Sequence, residues 1–372
     1  MKRSLFQIDW ILFLATLPLL AAGLLTMNSF TGNNILFEKQ LLWIAVSLAV
    51  FFVWSAIDWR FLRRTDIIVI LFLGSCAVLA GLFLVGHTAK GAQSWLNFGF
   101  ASFEPSEPIK LILILILAKY FSRRHIEIAN IRHILVSGFY ALVIFLLILG
   151  QPDFGGAIII SLIWLGMVLV SGISKKHLFL VFLLGAVSFV GLWTYAFKDY
   201  QKQRVISFLS PLADIRGSGY NAYQSTIAVG SGQVFGKGLG YGTQSRLKFL
   251  PEYETDFIFA AFAEEWGFVG VIMLFSFYGL VIWRILAIAV TGSTNFEVLF
   301  GLGLAILFFS QFAIHVGMNI GLLPVTGKTI PFMSYGGTHL LTEFMGLGIL
   351  MGMRKYRRAV DRDAMKNEIV GV

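Results

Sequence analysis

The chain returns repeatedly to apolar stretches of about 20 residues, and that repeat decides what it can fold into. A helix needs about 20 residues to cross a hydrocarbon core ~30 Å thick, and inside the core only helices and closed barrels satisfy their own backbone. Barrel strands are shorter and alternate apolar with polar residues, whereas a run such as LILILILA (111–118) has no polar position at all. Composition agrees: 57% of the residues are hydrophobic and 13% charged, against roughly 25% charged in soluble domains. The expectation is an all-α polytopic membrane protein with about ten transmembrane helices, filling residues 1–372 as a single domain.

The expected spans are 8–27, 41–57, 67–86, 107–121, 132–149, 156–172, 177–197, 257–287, 298–319 and 334–353. The eighth is overlong and should extend past the bilayer or break near Gly267. The first has a basic start and no clear small-residue cleavage site, so it reads as a retained span. Eighteen of the 29 Lys and Arg fall on alternate connections: Lys2, Arg3, Arg60, Arg63, Arg64, Lys119, Arg123, Arg124, Arg132, Lys175, Lys176, Arg284 and the tail from Arg354 to Lys366. The positive-inside rule then puts both termini in the cytoplasm. The net charge of +9 is mostly this orientation signal and not a sign of nucleic acid. Cys76 stands alone, so no intrachain disulfide can form, and the six histidines lack metal-ligand spacing.

The opposite side holds the residues with chemistry. The loop 198–256, between the seventh and eighth spans, has seven basic residues. It ends in LPEYETDFIFAAFAEEWG (250–267), with five carboxylates beside very apolar sequence. Thr255 is a candidate N-cap with Asp256 in the first helical turn. Alternatively, Asp256 is a partly desolvated carboxylate able to take a proton from a substrate hydroxyl. Glu264 and Glu265 lie deeper, where a buried Arg or Lys partner is expected. Eight glycines between Gly217 and Gly242 either line up N–H groups as anion-binding nests or simply form a covering loop, and Lys237, Arg246 and Lys248 add charge there. A P-loop is excluded, because Ser231 stands at the first glycine position and Gly238 follows Lys237. In YQKQRVISFL (200–209), Arg204 is either part of a membrane-surface amphipathic segment or a phosphate ligand.

Three further outer segments matter. In FEPSEPIK (103–110), Ser106 reads as an N-cap, and Glu107 and Lys110 share a helix face, either neutralising each other or lining a polar cavity. In QPDFGG, Asp153 reads as an N-cap. LLPVTGKTIPFMSYGGTHL (322–340) is either a re-entrant loop at membrane depth or a simple connection.

QSWLNFG…PSE..K, QPDFG, YQKQRV, IAVGSG…GKGLGYGTQS…FLPE..TDFIFA.FAEE.G and PVTGKTIPFMSYGG occur in this order. Together they resemble the SEDS family (shape, elongation, division, sporulation), and GTQS with the short termini looks more like its RodA branch than its FtsW branch. The resemblance implies ten helices and a peptidoglycan glycosyltransferase that polymerises lipid II onto an undecaprenyl-pyrophosphate-linked glycan. It implies work beside a class B penicillin-binding protein in the elongation machinery, at the outer face of the bacterial cytoplasmic membrane. It gives Asp256 the role of general base and makes Glu107, Lys110, Asp153, Arg204, Lys237, Gln224 and Ser334 substrate-binding residues. A divalent cation, Mg or Mn, is left open as cofactor. The alternatives are a lipid II flippase and the division-specific polymerase. Three positions depart from the family pattern: Glu254 where His is common, Glu104 where Gln precedes Pro-Ser-Glu, and Lys328 where an apolar residue often follows Thr-Gly. These are expected to add charge at the rim.

Overall fold

In a computed structural model, each expected span coincides with a helix. The structure describes residues 8–29, 35–89, 92–97, 99, 102–122, 131–197, 199–210, 218–247 and 249–370; side chains at 88–89, 92–93, 196, 199–200, 203–204, 218 and 355–370 are outside the description. The basic residues Lys2, Arg3, Arg123, Arg124 and Lys248 lie outside the described residues.

The helices are α1 (Trp10–Asn28), α2 (Ile35–Ala56), α3 (Thr65–Val85), α4 (Ser106–Ser122), α5 (Ile131–Gly150), α6 (Phe154–Val170), α7 (Lys175–Gly191), α8 (Asp199–Leu209), α9 (Ser218–Ser231), α10 (Thr243–Arg246), α11 (Ile258–Val290), α12 (Asn295–Asn319) and α13 (Gly337–Val370). Seven of the described helices are long and apolar enough to cross a membrane: α1, α2, α3, α5, α7 with its π-helical end, α11 and α12. The other three expected spans are α4, α6 and the first half of α13, so the protein is a multi-pass membrane protein. At 1.5 Å per residue a 17-residue helix such as α4 or α6 is about 26 Å long, short of a full ~30 Å core but close to it.

The bundle is built around α12, which packs on α4, α6 and α11; α1 lies along α11, and α2 along α13. Small residues permit the closest crossings. A side chain on Gly303 would strike Ile114 and Met167, and one on Gly346 would strike Leu304 and Leu111. At one end of the bundle, ion pairs join helix ends: Asp9 caps α1 and meets Arg284 at 2.5 Å and Arg354 at 2.9 Å, and Arg63 meets Glu297. The connections at the other end carry the motifs.

Three details differ from the sequence reading. Residues 87–103 contain a small antiparallel sheet of β1 (His87–Ala89), β2 (Ala92–Asn97) and β3 (Ser102–Phe103), in that order. The β2–β3 turn is served by Gly99 at φ +82°, whose N–H donates to Asn97 Oδ1 at 2.9 Å. α2 starts before residue 41 because Gln40, although polar, points inward and is buried. The 198–256 loop contains α8, α9 and α10, with α9 packed on α11.

Candidate functional site

α11 breaks where the sequence suggested. Gly267 sits at φ 64°, ψ −166°, a left-handed φ that favours glycine. A break in a buried helix frees backbone groups that need partners. The glycine-rich loop supplies them: Lys237 N–H donates to Glu264 C=O and Gly238 N–H to Glu265 C=O, both at 3.0 Å, while Phe268 and Val269 donate to the carbonyls of Gln233 and Val234. The approach is so close that a side chain at Gly267 would overlap the Gly236 nitrogen.

The same loop takes up the two acids. Glu264, fully buried, accepts from Lys237 Nζ at 2.6 Å, Thr243 Oγ1 at 3.0 Å and Gln244 N–H at 3.2 Å. Glu265 accepts from Gly240 N–H at 2.8 Å. The loop does form anion-binding N–H groups, but the anions are the protein's own carboxylates. The expected cation partner exists for Glu264. Glu265 has backbone N–H in its place and, among the described residues, no ion pair.

Asp256 lies half-buried on the turn before α11. The N-cap is Phe257 and not Thr255, whose hydroxyl donates to Glu252 Oε2 at 3.0 Å. Instead Asn319, the last residue of α12, accepts from the Ala260 N–H at 3.2 Å and donates to Asp256 C=O at 3.1 Å. Ser334, expected to bind substrate, is buried and donates to Thr255 C=O at 2.8 Å while accepting from Ile330 N–H at 3.1 Å. Tyr335 N–H donates to Glu254 C=O at 2.9 Å. Burial raises the Glu254 carboxyl above its ordinary value; Tyr253 opposes this by hydrogen bonding and Glu252 adds to it by repulsion.

Residues 320–336 are non-helical, and Thr326, Lys328, Ile330, Phe332, Met333 and Ser334 are all buried. Irregular backbone held inside protein at these positions fits the re-entrant alternative, while Gly321, Leu322, Leu323 and Gly327 are exposed. Its polar groups are met from several helices: Pro331 C=O accepts from Tyr278 Oη at 2.5 Å, Phe332 N–H donates to Glu343 at 2.9 Å, and Gln40 bonds Ser334 C=O and Gly336 N–H.

Beside this segment lies a buried charge cluster. Lys110 Nζ is 2.5 Å from Glu107 Oε1, so the first of the two alternatives for this pair, mutual neutralisation, holds. His339 Nδ1 is 2.9 Å from Glu107 Oε2, and His339 Nε2 is 2.8 Å from Glu343 Oε1. Asp153 caps α6 through Gly156 N–H at 2.9 Å and also meets Lys328 Nζ at 2.9 Å. Ser106 is inside α4 and donates to Glu104 Oε1 at 2.8 Å, so it is not the cap. Glu104 and Lys328 are not rim charges: both are buried, 3.5 Å apart. Of the remaining expected site residues, Gln224 is half-buried on α9, and Arg204 lies on α8 with its side chain outside the described residues.

Asn319, His339, Glu343 and Gln40 were not expected in the site, and Glu104 and Lys328 were expected only at its rim. The usable signal was ionisable residues inside apolar spans, such as His339 and Glu343 four apart on one face of α13. Among the described residues no group of three His, Cys, Asp or Glu side chains is arranged to hold a metal ion. A cavity of about 240 Å³, mostly apolar, opens between Phe208, Tyr223, Leu323 and Val325.

Residues 3–359 match the FtsW/RodA/SpoVE family of cell cycle proteins. The chain belongs to this family. It is 35% identical over 360 residues to the peptidoglycan glycosyltransferase MrdB of Escherichia coli K12, covering 96% of both chains. Among solved structures, it is similar to a chain of a peptidoglycan synthase complex described as coordinating polymerization and crosslinking, with TM-score 0.81 and 29% identity over 94% of this chain and 98% of that one. It is similar to the rod shape determining protein RodA of Thermus thermophilus, with TM-score 0.70 and 28% identity over the same shares.

Proposed function

We propose that this chain is a peptidoglycan glycosyltransferase that polymerises lipid II, with Asp256 as general base. The observation that carries the assignment of the base is the position of Asp256. It is half-buried on a turn fixed on both sides, Thr255 C=O by Ser334 and Asp256 C=O by Asn319, beside the non-helical 320–336 segment. In the reaction the acceptor sugar hydroxyl attacks the anomeric carbon of the donor, its proton passes to the Asp256 carboxylate, and the bond to undecaprenyl pyrophosphate breaks. Direct displacement inverts that carbon. Lys110 and Lys237 each pair with a carboxylate of the protein, and Arg204 is assigned to the pyrophosphate on the family resemblance.

The similarity to a chain of a peptidoglycan synthase complex supports a class B penicillin-binding protein as partner. The rod shape neighbour supports a role in elongation over division. A flippase needs a polar path through the membrane. Below the charge cluster, Leu111, Ile114, Met167 and Leu304 close the bundle with apolar side chains, all buried, which disfavours that reading. The basic connections support cytoplasmic termini and an outer site; cysteine labelling of a Ser218→Cys variant only from the cytoplasmic side would overturn that orientation.

The deciding test is Asp256→Asn given labelled lipid II, with a melting curve. Glycan synthesis should fall about 10²–10⁴-fold, the usual contribution of a general base, with folding retained. Wild-type polymerisation by the folded variant would remove Asp256 as base.

A further inference from the structure

We infer that Lys328 is a positioning residue for Asp256, holding residues 326–328 by gripping Asp153 and Glu104 so that Gly327 keeps its place beside the Asp256 carboxylate. The inference rests on the reading of Asp256 as base.

Lys328 and Gly327 are neighbours that face two different sites. Gly327 has φ +70°, and a Cβ built on it would lie 3.5 Å from Asp256 Oδ2, in ordinary contact. Lys328 turns the other way, 8% exposed, with Nζ 2.9 Å from Asp153 Oδ2 and 3.5 Å from Glu104 Oε1.

Both anchors are themselves fixed. Asp153 spends its other oxygen on the α6 N-terminus, and Glu104 is held by the Ser106 hydroxyl at 2.8 Å. The stem of Lys328 reaches Asp153 only because position 155 is glycine: a Cβ there would lie 2.6 Å from Lys328 Cγ and 2.8 Å from Cε. The Lys328 backbone is pinned as well, its carbonyl 2.7 Å from Nδ1 of the fully buried His315.

The grip therefore fixes one end of a peptide unit whose other end lies beside the proposed base. Lys328 faces buried carboxylates and not the substrate side, so its effect should fall on turnover and leave substrate binding alone. A base displaced by up to ~1 Å loses reaction rate by as much as about 10²-fold.

The test uses the purified full chain with labelled lipid II. Lys328→Met keeps the stem and drops the charge. Per folded molecule, kcat should fall by about tenfold to 10²-fold at unchanged KM. Gly327→Ala strains the backbone at φ +70° and adds a methyl beside Asp256 Oδ2, so it too should lower kcat by displacing the base, and combining it with Lys328→Met should cost less than the product of the two losses. If Lys328→Met alone does not fold, Lys328→Met with Glu104→Gln, which removes one charge of each sign, is measured the same way.

Unchanged kcat per folded molecule, a loss entirely in KM, or strict additivity with Gly327→Ala would each overturn the inference. Carbodiimide labelling of Asp256, read by mass spectrometry, separates it from the base assignment. The labelling rate should change in Lys328→Met whether or not Asp256 is the base. An unchanged rate overturns the positioning role, whereas full activity of Asp256→Asn overturns only the base.

Discussion

Lys237 and Glu264 make an ion pair whose two partners should not be equally expendable. Glu264 has no exposed side-chain surface, whereas that of Lys237 is 28% exposed. Lys237→Ala strands a buried carboxylate. Loss of one partner of a buried pair costs ~3–5 kcal/mol. Thr243 Oγ1 and Gln244 N–H still donate to Glu264, so a value near the bottom of that range, about 3 kcal/mol, is expected. Glu264→Gln leaves an ammonium that can turn to water and an amide that can still accept, so about 1 kcal/mol is expected. The double variant Lys237→Ala/Glu264→Gln should be more stable than Lys237→Ala alone, because the stranded charge is gone. The assay is the apparent melting temperature of each purified variant beside its lipid II polymerisation rate. Equal destabilisation by the two single changes would refute the asymmetry. A Lys237→Ala protein that melts like wild type but has lost polymerisation would show that Lys237 serves the substrate and not Glu264.

Other expectations follow from the same geometry. Glu107→Gln and Lys110→Met should each destabilise by ~3–5 kcal/mol, and a double-mutant cycle in melting temperature should show coupling; strict additivity would deny their contact. Glu254→Gln should stabilise the protein at neutral pH. The folded pKa of Glu254 is raised, so the folded state binds more protons than the unfolded state between the ordinary carboxylate value and the raised one, and stability falls as pH rises through that window. The gain from Glu254→Gln should therefore be full above the raised pKa and vanish as pH drops below the ordinary value; a pH-independent gain would contradict it.

What could be read from the sequence was what is local along the chain. Apolar stretches marked the helices, the overlong eighth span with Gly267 marked the break, and the spacing of Glu107 and Lys110 marked their pairing. What could not be read was where a polar group finds its partner in space. Glu104 and Lys328 look like two unrelated rim charges until the fold buries them side by side. Gln40 interrupts an apolar run and reads as loop, yet it caps the backbone of Ser334 and Gly336. The glycines of 230–242 do suit an anion site, but no spacing rule says that the anions are Glu264 and Glu265.

Ser334 shows how a motif residue can hold the turn that carries Asp256. A serine hydroxyl has one proton to donate and two lone pairs. The proton goes to Thr255 C=O and one lone pair takes the Ile330 N–H, with 2% of the residue exposed. Donating to a substrate would mean giving up the bond to the residue next to Asp256. Asn319 is in the same position on the other side, with its amide spent on Asp256 C=O, His315 C=O and Ala260 N–H. Irregular backbone within a membrane bundle must find such partners wherever the surrounding helices offer them. The turn that carries Asp256 is therefore held by side chains from the 320–336 segment and α12, and its geometry is set by how those elements pack, which no single motif encodes.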